Sequence, residues 1–371
     1  MTQACALDDI ASAIKAAHDS RAALRIRGAG SKDFYGGMLA GDVLDVSGYR
    51  GIVAHEPTEL YVTARCGTPL AEVEAVLAEK GQMLAFEPPR FSGATVGGCV
   101  AAGLSGPRRQ QAGAVRDFVL GVKLVDGTGQ VLDFGGQVMK NVAGYDVSRL
   151  LAGSMGTLGV LAEVTLKVLP KPVAEQTLVF ALDEAGAVRR LNEWGGQPLP
   201  VSASFWYDGQ LWLRLSGARA AVDAACRKLG GSLVPQGDSL RREASALAGR
   251  GAGDAESHWN SVREQTHPAF AGPLLWRLGL PSTAVAPGLD GLRAIEWGGG
   301  QRWYAGELEA VRGAAARAGG HAVLYRAPES LRCREGAFAP LSPALLALHR
   351  RLKKSFDPKG ILNPGRLYAE F

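Results

Sequence analysis

Apolar positions in the first 170 residues switch between two periods. Ile10-Ala-Ser-Ala-Ile-Lys-Ala-Ala17 repeats at helical spacing behind the acidic pair Asp8-Asp9, which complements a helix N-terminus. Asp42–Ser47 and Leu60–Arg65 alternate residue by residue, as strands do. Pro69–Gly81 predicts a helix, with proline near its start and glycine just past its end. Val119–Val125 and Gln130–Phe134 predict two strands joined through Asp126-Gly127, and Leu161–Leu169 predicts a third that stops at Pro170-Lys171-Pro172. That proline pair marks a domain boundary.

Beyond it the pattern changes. Ser204–Tyr207 and Gln210–Leu215 flank Asp208-Gly209, a strong hairpin signal. Ala218–Leu229 reads as a helix, Ser232–Val234 as a strand, and Ser239–Gln265 as largely helical with a break around Gly249–Gly253. Strands follow at Leu274–Leu280, Ala294–Trp297 and Gln301–Ala305, then a helix over Glu307–Ala318 and a strand over His321–Tyr325. This is an α+β region with a largely antiparallel sheet covered by helices.

Bulk properties narrow the class. A chain of 371 residues can bury two cores, and 47% hydrophobic with 21% charged residues is ordinary globular composition. The net charge of +5 is too small, and its basic doublets too dispersed, to indicate a nucleic-acid partner. Five cysteines lie far apart with no C-x-x-C, which argues against an iron–sulfur cluster, a zinc site or a disulfide framework and fits a reducing compartment. The N-terminus lacks a signal-peptide pattern and no stretch of 18 apolar residues occurs. A cytoplasmic protein is expected, with peripheral membrane association left open.

Candidate chemistry concentrates in three glycine-rich segments. The richest is Glu87–Pro107, with five glycines among Ala, Ser and Thr and no charged side chain from Phe91 onward. Arg25-Ile-Arg-Gly-Ala-Gly-Ser-Lys32 precedes it, and Lys140–Val160, punctuated by Gly153, Gly156 and Gly159, follows. Small residues let a ligand approach the backbone, where successive N–H groups can face a pyrophosphate. Standard nucleotide loops fail here. Asp33 stands where a Rossmann fingerprint needs its third glycine, and it follows Lys32 where a Walker loop needs Ser or Thr.

Over roughly residues 1–170 the three segments resemble the FAD-binding domain of the vanillyl-alcohol oxidase / p-cresol methylhydroxylase superfamily. The closer likeness is to the E subunits of bacterial glycolate oxidase, carried by Ala102–Arg109, Gly153–Gly159 and Leu348–Lys353. The resemblance implies an α+β fold: a p-cresol methylhydroxylase-type FAD-binding domain of two α+β subdomains (1–170), an antiparallel-sheet α+β cap (171–330), and a segment returning to the flavin domain (331–371). It also implies the cofactor contacts. Arg27, Gly28, Ala29, Gly30, Ser31 and Lys32 would share the pyrophosphate with the loop Ser92–Gly98 (Gly93, Ala94, Thr95, Val96, Gly97 and Gly98 in it), and Pro88 would also contact the cofactor. Ala101, Ala102, Gly103, Leu104 and Ser105 would pass the isoalloxazine, Gly153, Gly159 and Val160 would reach the adenine side, and Asn363 would close the site. Ala29 and Ser31 occupy the places where a tethering His or Cys would stand, so FAD is expected to be non-covalent.

Oxidation of a small 2-hydroxy acid needs a carboxylate clamp and a base beside the flavin. The cap offers Arg214, Arg277, Arg302 and Arg326, and His321 at the head of a strand; His321 and Arg326 are the pair taken forward. None of the six histidines is spaced to bind a metal. The His-x-Gly-Asp-Gly-Asn-x-His stretch of the related D subunits is absent, and Met155 replaces their usual glutamate. The resemblance therefore implies an FAD-binding subunit of a glycolate oxidase (glycolate dehydrogenase) complex. Glycolate, with D-lactate as a second candidate, would be oxidised to the 2-oxo acid beside a catalytic flavin D subunit and an iron–sulfur F subunit that takes the electrons. A self-sufficient flavin oxidase and a non-catalytic scaffold remain the alternatives.

Overall fold

The computed structural model describes residues 2–3, 6–136, 146–235, 254–306 and 308–371. Within them the chain separates into two compact units, one comprising 1–105, 113–170 and 327–371, the other 106–112 and 171–326. The Lys140–Tyr145 part of the third glycine-rich segment, and the helix expected from Ser239 as far as residue 253, lie outside the described residues.

Among the described residues the first unit holds two larger sheets, besides a short antiparallel pairing of Leu169–Pro170 with Gln82–Met83. Leu24–Arg27 and Thr2–Gln3 both run parallel to Asp42–Asp45 in a three-stranded sheet. The second is antiparallel, in the order Ile52–Glu56, Tyr61–Arg65, Val160–Lys167, Val119–Val125, Val131–Gly135. The expected helix near residue 10 spans Leu7–Ser20 and buries Ile10, Ile14 and Ala17 against Leu24, Leu44, Val160 and Ile361. The Pro69–Gly81 reading corresponds to the helix Leu70–Glu79, whose Leu70, Val73 and Leu77 are fully buried.

Sequence reading missed two C-terminal helices, Glu329–Glu335 and Pro343–Phe356. In the latter only Lys353 is buried, and Leu345 and Leu348 stay about half exposed, so its leucines do not mark a core face. Lys353 Nζ lies 2.6 Å from Asp357 Oδ2 and also donates to Thr157 O and Leu362 O at 2.7 and 2.8 Å. The Asp357 oxygens in turn accept from the Ile361 and Leu362 amides. Burial lowers the lysine's proton affinity while Asp357 opposes that shift.

The second unit contains, among the described residues, an antiparallel sheet ordered Ser232–Val234, Ala174–Ala181, Gln210–Gly217, Val201–Tyr207, Leu292–Glu296, Gln301–Tyr304, Leu275–Gly279, His321–Arg326. The Asp208-Gly209 hairpin forms as its residues predict, with φ of 47° and 76° at the turn. The strand Ala174–Ala181 and the helix Glu184–Gly195, capped by Asp183, were not anticipated. Residues 106–112 join this unit through Trp297 Nε1, which donates to Gly106 O at 3.1 Å, and Arg109, stacked 4.3 Å from the Trp297 ring. His258 is buried flat against Trp212 at 3.7 Å, and burial, then His267 and Arg214, push its pKa down to about 3.

Two predictions follow from these burials. Lys353→Met should cost about 3–5 kcal/mol, since it strands a buried carboxylate; chemical denaturation checks this, and a loss below 1 kcal/mol would show the pair to be dispensable. The unfolded chain protonates His258 near 6.5 while the folded one resists until about 3. That stabilisation is therefore complete above 6.5 and is lost as pH falls. Relative to His258→Phe, wild type should lose roughly 2–3 kcal/mol between pH 6.5 and 4.5, read from paired denaturation curves.

Candidate cofactor site

The strand Leu24–Arg27 ends in the first glycine-rich loop. Alternation along it sends Ile26 toward the core and sets Arg25 and Arg27 on the opposite face. Its free edge is closed by the far end of the chain: Leu24 bridges Leu362, and Ile26 N donates to Asn363 Oδ1 at 2.8 Å. Asn363 Nδ2 donates to Met155 O at 2.7 Å, so one side chain ties this strand to the third glycine-rich segment. Arg366 donates to the carbonyls of Lys32 and Gly37 at 2.8 Å each, and Arg332 to those of Gly36 and Gly37. Burial and the neighbouring Arg332 bring the Arg366 pKa down to about 10.

A cavity of about 110 Å³, open to solvent, lies against this loop. It is lined by residues 25–33, Met38, Leu39, Ala40, Val46, Cys66, Thr95, Gly97, Gly98, Ala101, Ala102, Met155, Gly156, Gly159, Val160, Leu161, Asn363 and Arg366. Of the residues expected at the cofactor, it brings together Arg27 to Lys32, Thr95, Gly97, Gly98, Ala101, Ala102, Gly159, Val160 and Asn363. Pro88, Gly93, Ala94, Val96, Gly103, Leu104, Ser105 and Gly153 do not line it. Ala94, Val96 and Leu104 are buried, Ser105 Oγ accepts from Val115 N, and Gly103 lies tight against Gly153. Arg25, Asp33, Cys66, Met155, Gly156 and Arg366 were not foreseen; the alternation that exposes Arg27 on its strand was the available signal for Arg25.

The second segment needs a correction. Residues read as an open, amide-lined loop form the helix Val96–Ala102, with Thr95 at its N-cap. Its first amides already have acceptors: Val96 N donates to Thr68 O, Gly97 N to Cys66 O, and Gly98 N to Thr95 Oγ1. The glycines serve close packing. A Cβ on Gly97 would stand 2.7 Å from Cys66 Cβ, and one on Gly28 would stand 2.5 Å from Thr95 Oγ1, where loop and helix cap touch. Burial holds the Cys66 thiol up near 12, so it faces the cavity as a neutral apolar group.

The donor set fits a large anionic cofactor. Arg25, Arg27, Lys32 and Arg366 line the cavity against one carboxylate, Asp33, and Arg25 Nε and Arg27 Nε are buried without a hydrogen-bond partner. Small residues and apolar Met38, Val46, Met155 and Val160 provide the remaining wall.

His321 and Arg326 belong to the second unit and do not line this cavity. His321 is exposed on the last strand, packed beside Gly279; partial burial of its ring and Arg277 lower its pKa. Arg326 donates to Phe270 O at 2.7 Å. Arg214 is buried among Ser202 and Glu175, Arg302 is fully buried and donates to Ala284 O, and Arg277 stacks on Tyr325.

A parallel strand-loop cradle closed by the C-terminal segment in one unit, and a large antiparallel sheet in the other, are the features of a p-cresol methylhydroxylase-type FAD-binding flavoprotein. Residues 4–135 match the FAD binding domain family and residues 339–367 the C-terminal domain of FAD linked oxidases. The chain is 46% identical to the glycolate oxidase subunit GlcE of Escherichia coli (strain K12), over 94% of this chain and 93% of that one. It is 30% identical to the glycolate oxidase subunit GlcD of Bacillus subtilis (strain 168), over 48% of this chain and 39% of that one. Substrate-bound p-cresol methylhydroxylase shares its fold, with a TM-score of 0.70 at 15% identity over 100% of this chain and 89% of that one. The protein belongs to the glycolate oxidase GlcE family of FAD-linked oxidoreductases.

Because Gly97 answers to Cys66, Gly97→Ala should destabilise even the flavin-free protein, by about 1–3 kcal/mol. Thermal unfolding of the apoprotein checks this; an unchanged midpoint with lower flavin affinity would restore a direct ligand role.

Proposed function

We propose that this chain is the flavin-holding E subunit of a glycolate oxidase complex that oxidises glycolate, with D-lactate as a second candidate substrate, to the 2-oxo acid. The observation that carries the reading is 46% identity across nearly the whole of both chains with a subunit of that name. The partners are a D subunit, itself a flavoprotein, and an iron–sulfur F subunit that receives the electrons. The similarity to a D subunit over 48% of this chain supports a shared flavin-domain ancestry for the two flavin subunits.

Residues 1–170 hold the cofactor, 171–330 form the cap, and 331–371 return to seal the cradle. FAD is held without a covalent bond, since Ala29 and Ser31 offer no tethering atom. When bound, FAD supplies the two-electron acceptor for oxidation of a CH–OH carbon. The first loop and the N-terminal end of the helix Val96–Ala102 would orient it, while Asn363 and Arg366 fix that loop from behind. Within the cap, Arg214 and Arg302 serve the unit's own interior, which supports an accessory role. His321, whose pKa is lowered by partial burial and by Arg277, and Arg326 are the residues to mutate first should this subunit itself turn over. Among the described residues no helix is long and apolar enough to cross a membrane. We place the subunit in the cytoplasm, reaching the inner membrane face through its complex.

Anaerobic mixing tests this. Acid precipitation of the purified chain should release its flavin to the supernatant. Glycolate or D-lactate should leave the isolated subunit's flavin oxidised and bleach the assembled complex. General acid–base assistance is worth roughly 10²–10⁴ in rate, so a subunit lacking it reacts slowly even when substrate binds. Fast stoichiometric bleaching of the isolated chain would overturn the accessory role in favour of a self-sufficient oxidase.

A further inference from the structure

A second cavity, of about 680 Å³, is lined entirely by residues of the second unit and falls within the roughly 300–1,000 Å³ typical of ligand sites. One wall is a face of the helix Glu184–Gly195 that carries Ala185, Val188 and Asn192, and the other is the loop 283–286. Two ties hold that loop to its surroundings. Asn192 Nδ2 donates to Ser282 O at 2.9 Å while Ser282 Oγ donates back to Asn192 Oδ1 at 3.0 Å, and the fully buried Arg302 donates to Ala284 O. The loop is therefore fixed over the helix with space left between their aliphatic side chains. At the buried end of that space a charge is incompletely met. Glu184 Oε1 is buried and accepts no hydrogen bond among the described residues. Arg302 Nη1 lies 3.7 Å from it, near enough to attract but beyond hydrogen-bond reach. The rest of the Glu184 side chain is 29% exposed and lines the cavity. Buried polar atoms are nearly always paired, so this carboxylate points to a donor that the chain itself does not supply.

We propose that this cavity binds a small aliphatic amine, with the ammonium group donating to Glu184 and the carbon chain lying against Val188 and residues 284–286. The inference stands apart from the flavin reading, since none of these residues lines the cofactor cavity. The lining carries three carboxylates (Asp183, Glu184 and Glu193) against two arginines (Arg189 and Arg302), and Arg302 already serves a loop carbonyl, so the balance disfavours an anion. Apolar Ala185, Val188 and Val285 suit a hydrocarbon stem, and a charge-assisted contact to the carboxylate distinguishes an amine from an alcohol of the same length. Burial raises the Glu184 pKa, with Arg302 opposing and Asp183 adding to the shift. The other ionisable group coupled to it is Tyr304, on the same strand as Arg302, which burial and then Glu184 push up to about 12. An ammonium ion favours the ionised carboxylate, so amine affinity falls as pH drops through the raised Glu184 pKa.

The test titrates the purified full-length chain by calorimetry with n-pentylammonium, 1-pentanol and pentanoate. At pH 7 pentylammonium should saturate one site about tenfold or more tightly than pentanol, with pentanoate weakest. Glu184→Gln, which keeps the shape and removes the charge, should bring pentylammonium down to the affinity of pentanol and leave pentanol unchanged. Val188→Trp, which fills the space from the helix wall, should weaken both probes alike. Between pH 7 and 4.5 the wild type should lose affinity for pentylammonium, and Glu184→Gln should not. Thermal unfolding midpoints show whether each variant is folded, and the comparison of probes on the wild type decides the matter should either variant fail. Equal wild-type affinities for pentylammonium and pentanol, no saturable pentylammonium binding, or a pentylammonium affinity unchanged in folded Glu184→Gln would overturn the assignment.

Discussion

The buried pair of Lys353 and Asp357 is the contact on which the cofactor cradle depends. Taking both charges out of water is costly, and the cost is offset only because every remaining polar atom is met. Lys353 reaches two carbonyls besides the carboxylate, and Asp357 takes two backbone amides. Those amides belong to Ile361 and Leu362, so the pair fixes the turn that presents Asn363. Asn363 then holds Ile26 on one side and Met155 on the other. A change at residue 353 thus reaches the first loop through three successive hydrogen-bonded steps, without touching a cavity residue until the last.

The same logic explains which parts of the molecule could be read from sequence. Helices with an apolar stripe and clear end signals, such as Leu70–Glu79, and the Asp208-Gly209 hairpin depend on neighbours within a few residues, so their patterns are local. The clustering of the first and second glycine-rich segments was legible for a similar reason, because an uncharged small-residue run has few other uses. What the glycines do was not legible. Gly97 and Gly28 are small because Cys66 and Thr95 approach them, and both contacts bridge distant positions. The helix Val96–Ala102 escaped notice because Gly97-Gly98 in its first turn is unfavourable by propensity. The Thr95 cap and packing on the neighbouring strand override that preference. Arg332 and Arg366 were invisible for a third reason: nothing local distinguishes a buried arginine that holds loop carbonyls from an exposed one.

The second unit shows how misleading an inventory of charged residues can be. Arg214 and Arg302 looked like substrate clamps by residue type, yet both are buried and bonded within the unit. Glu296 is similarly enclosed, accepting from Trp303 and Gln301 at 2.6 and 2.7 Å, and burial raises its pKa to about 7. These groups organise a sheet that carries many polar side chains in its interior. Such an interior specifies its register closely, because a slip would leave each of them unmatched.

That the cradle closes with Asn363 and Arg366 also dictates when, in the life of the chain, a flavin can be seated. The strand and loop that face the cofactor emerge early from the ribosome. The residues that complete their edge, Asn363 and Arg366, follow some 330 positions after Lys32, which at about 5–20 residues per second is a delay of roughly 17–66 s. During that interval the edge of the Leu24–Arg27 strand lacks its closing partner and the loop carbonyls lack their arginines. Cofactor loading is therefore a late event of biosynthesis, coupled to the docking of the last helix and turn.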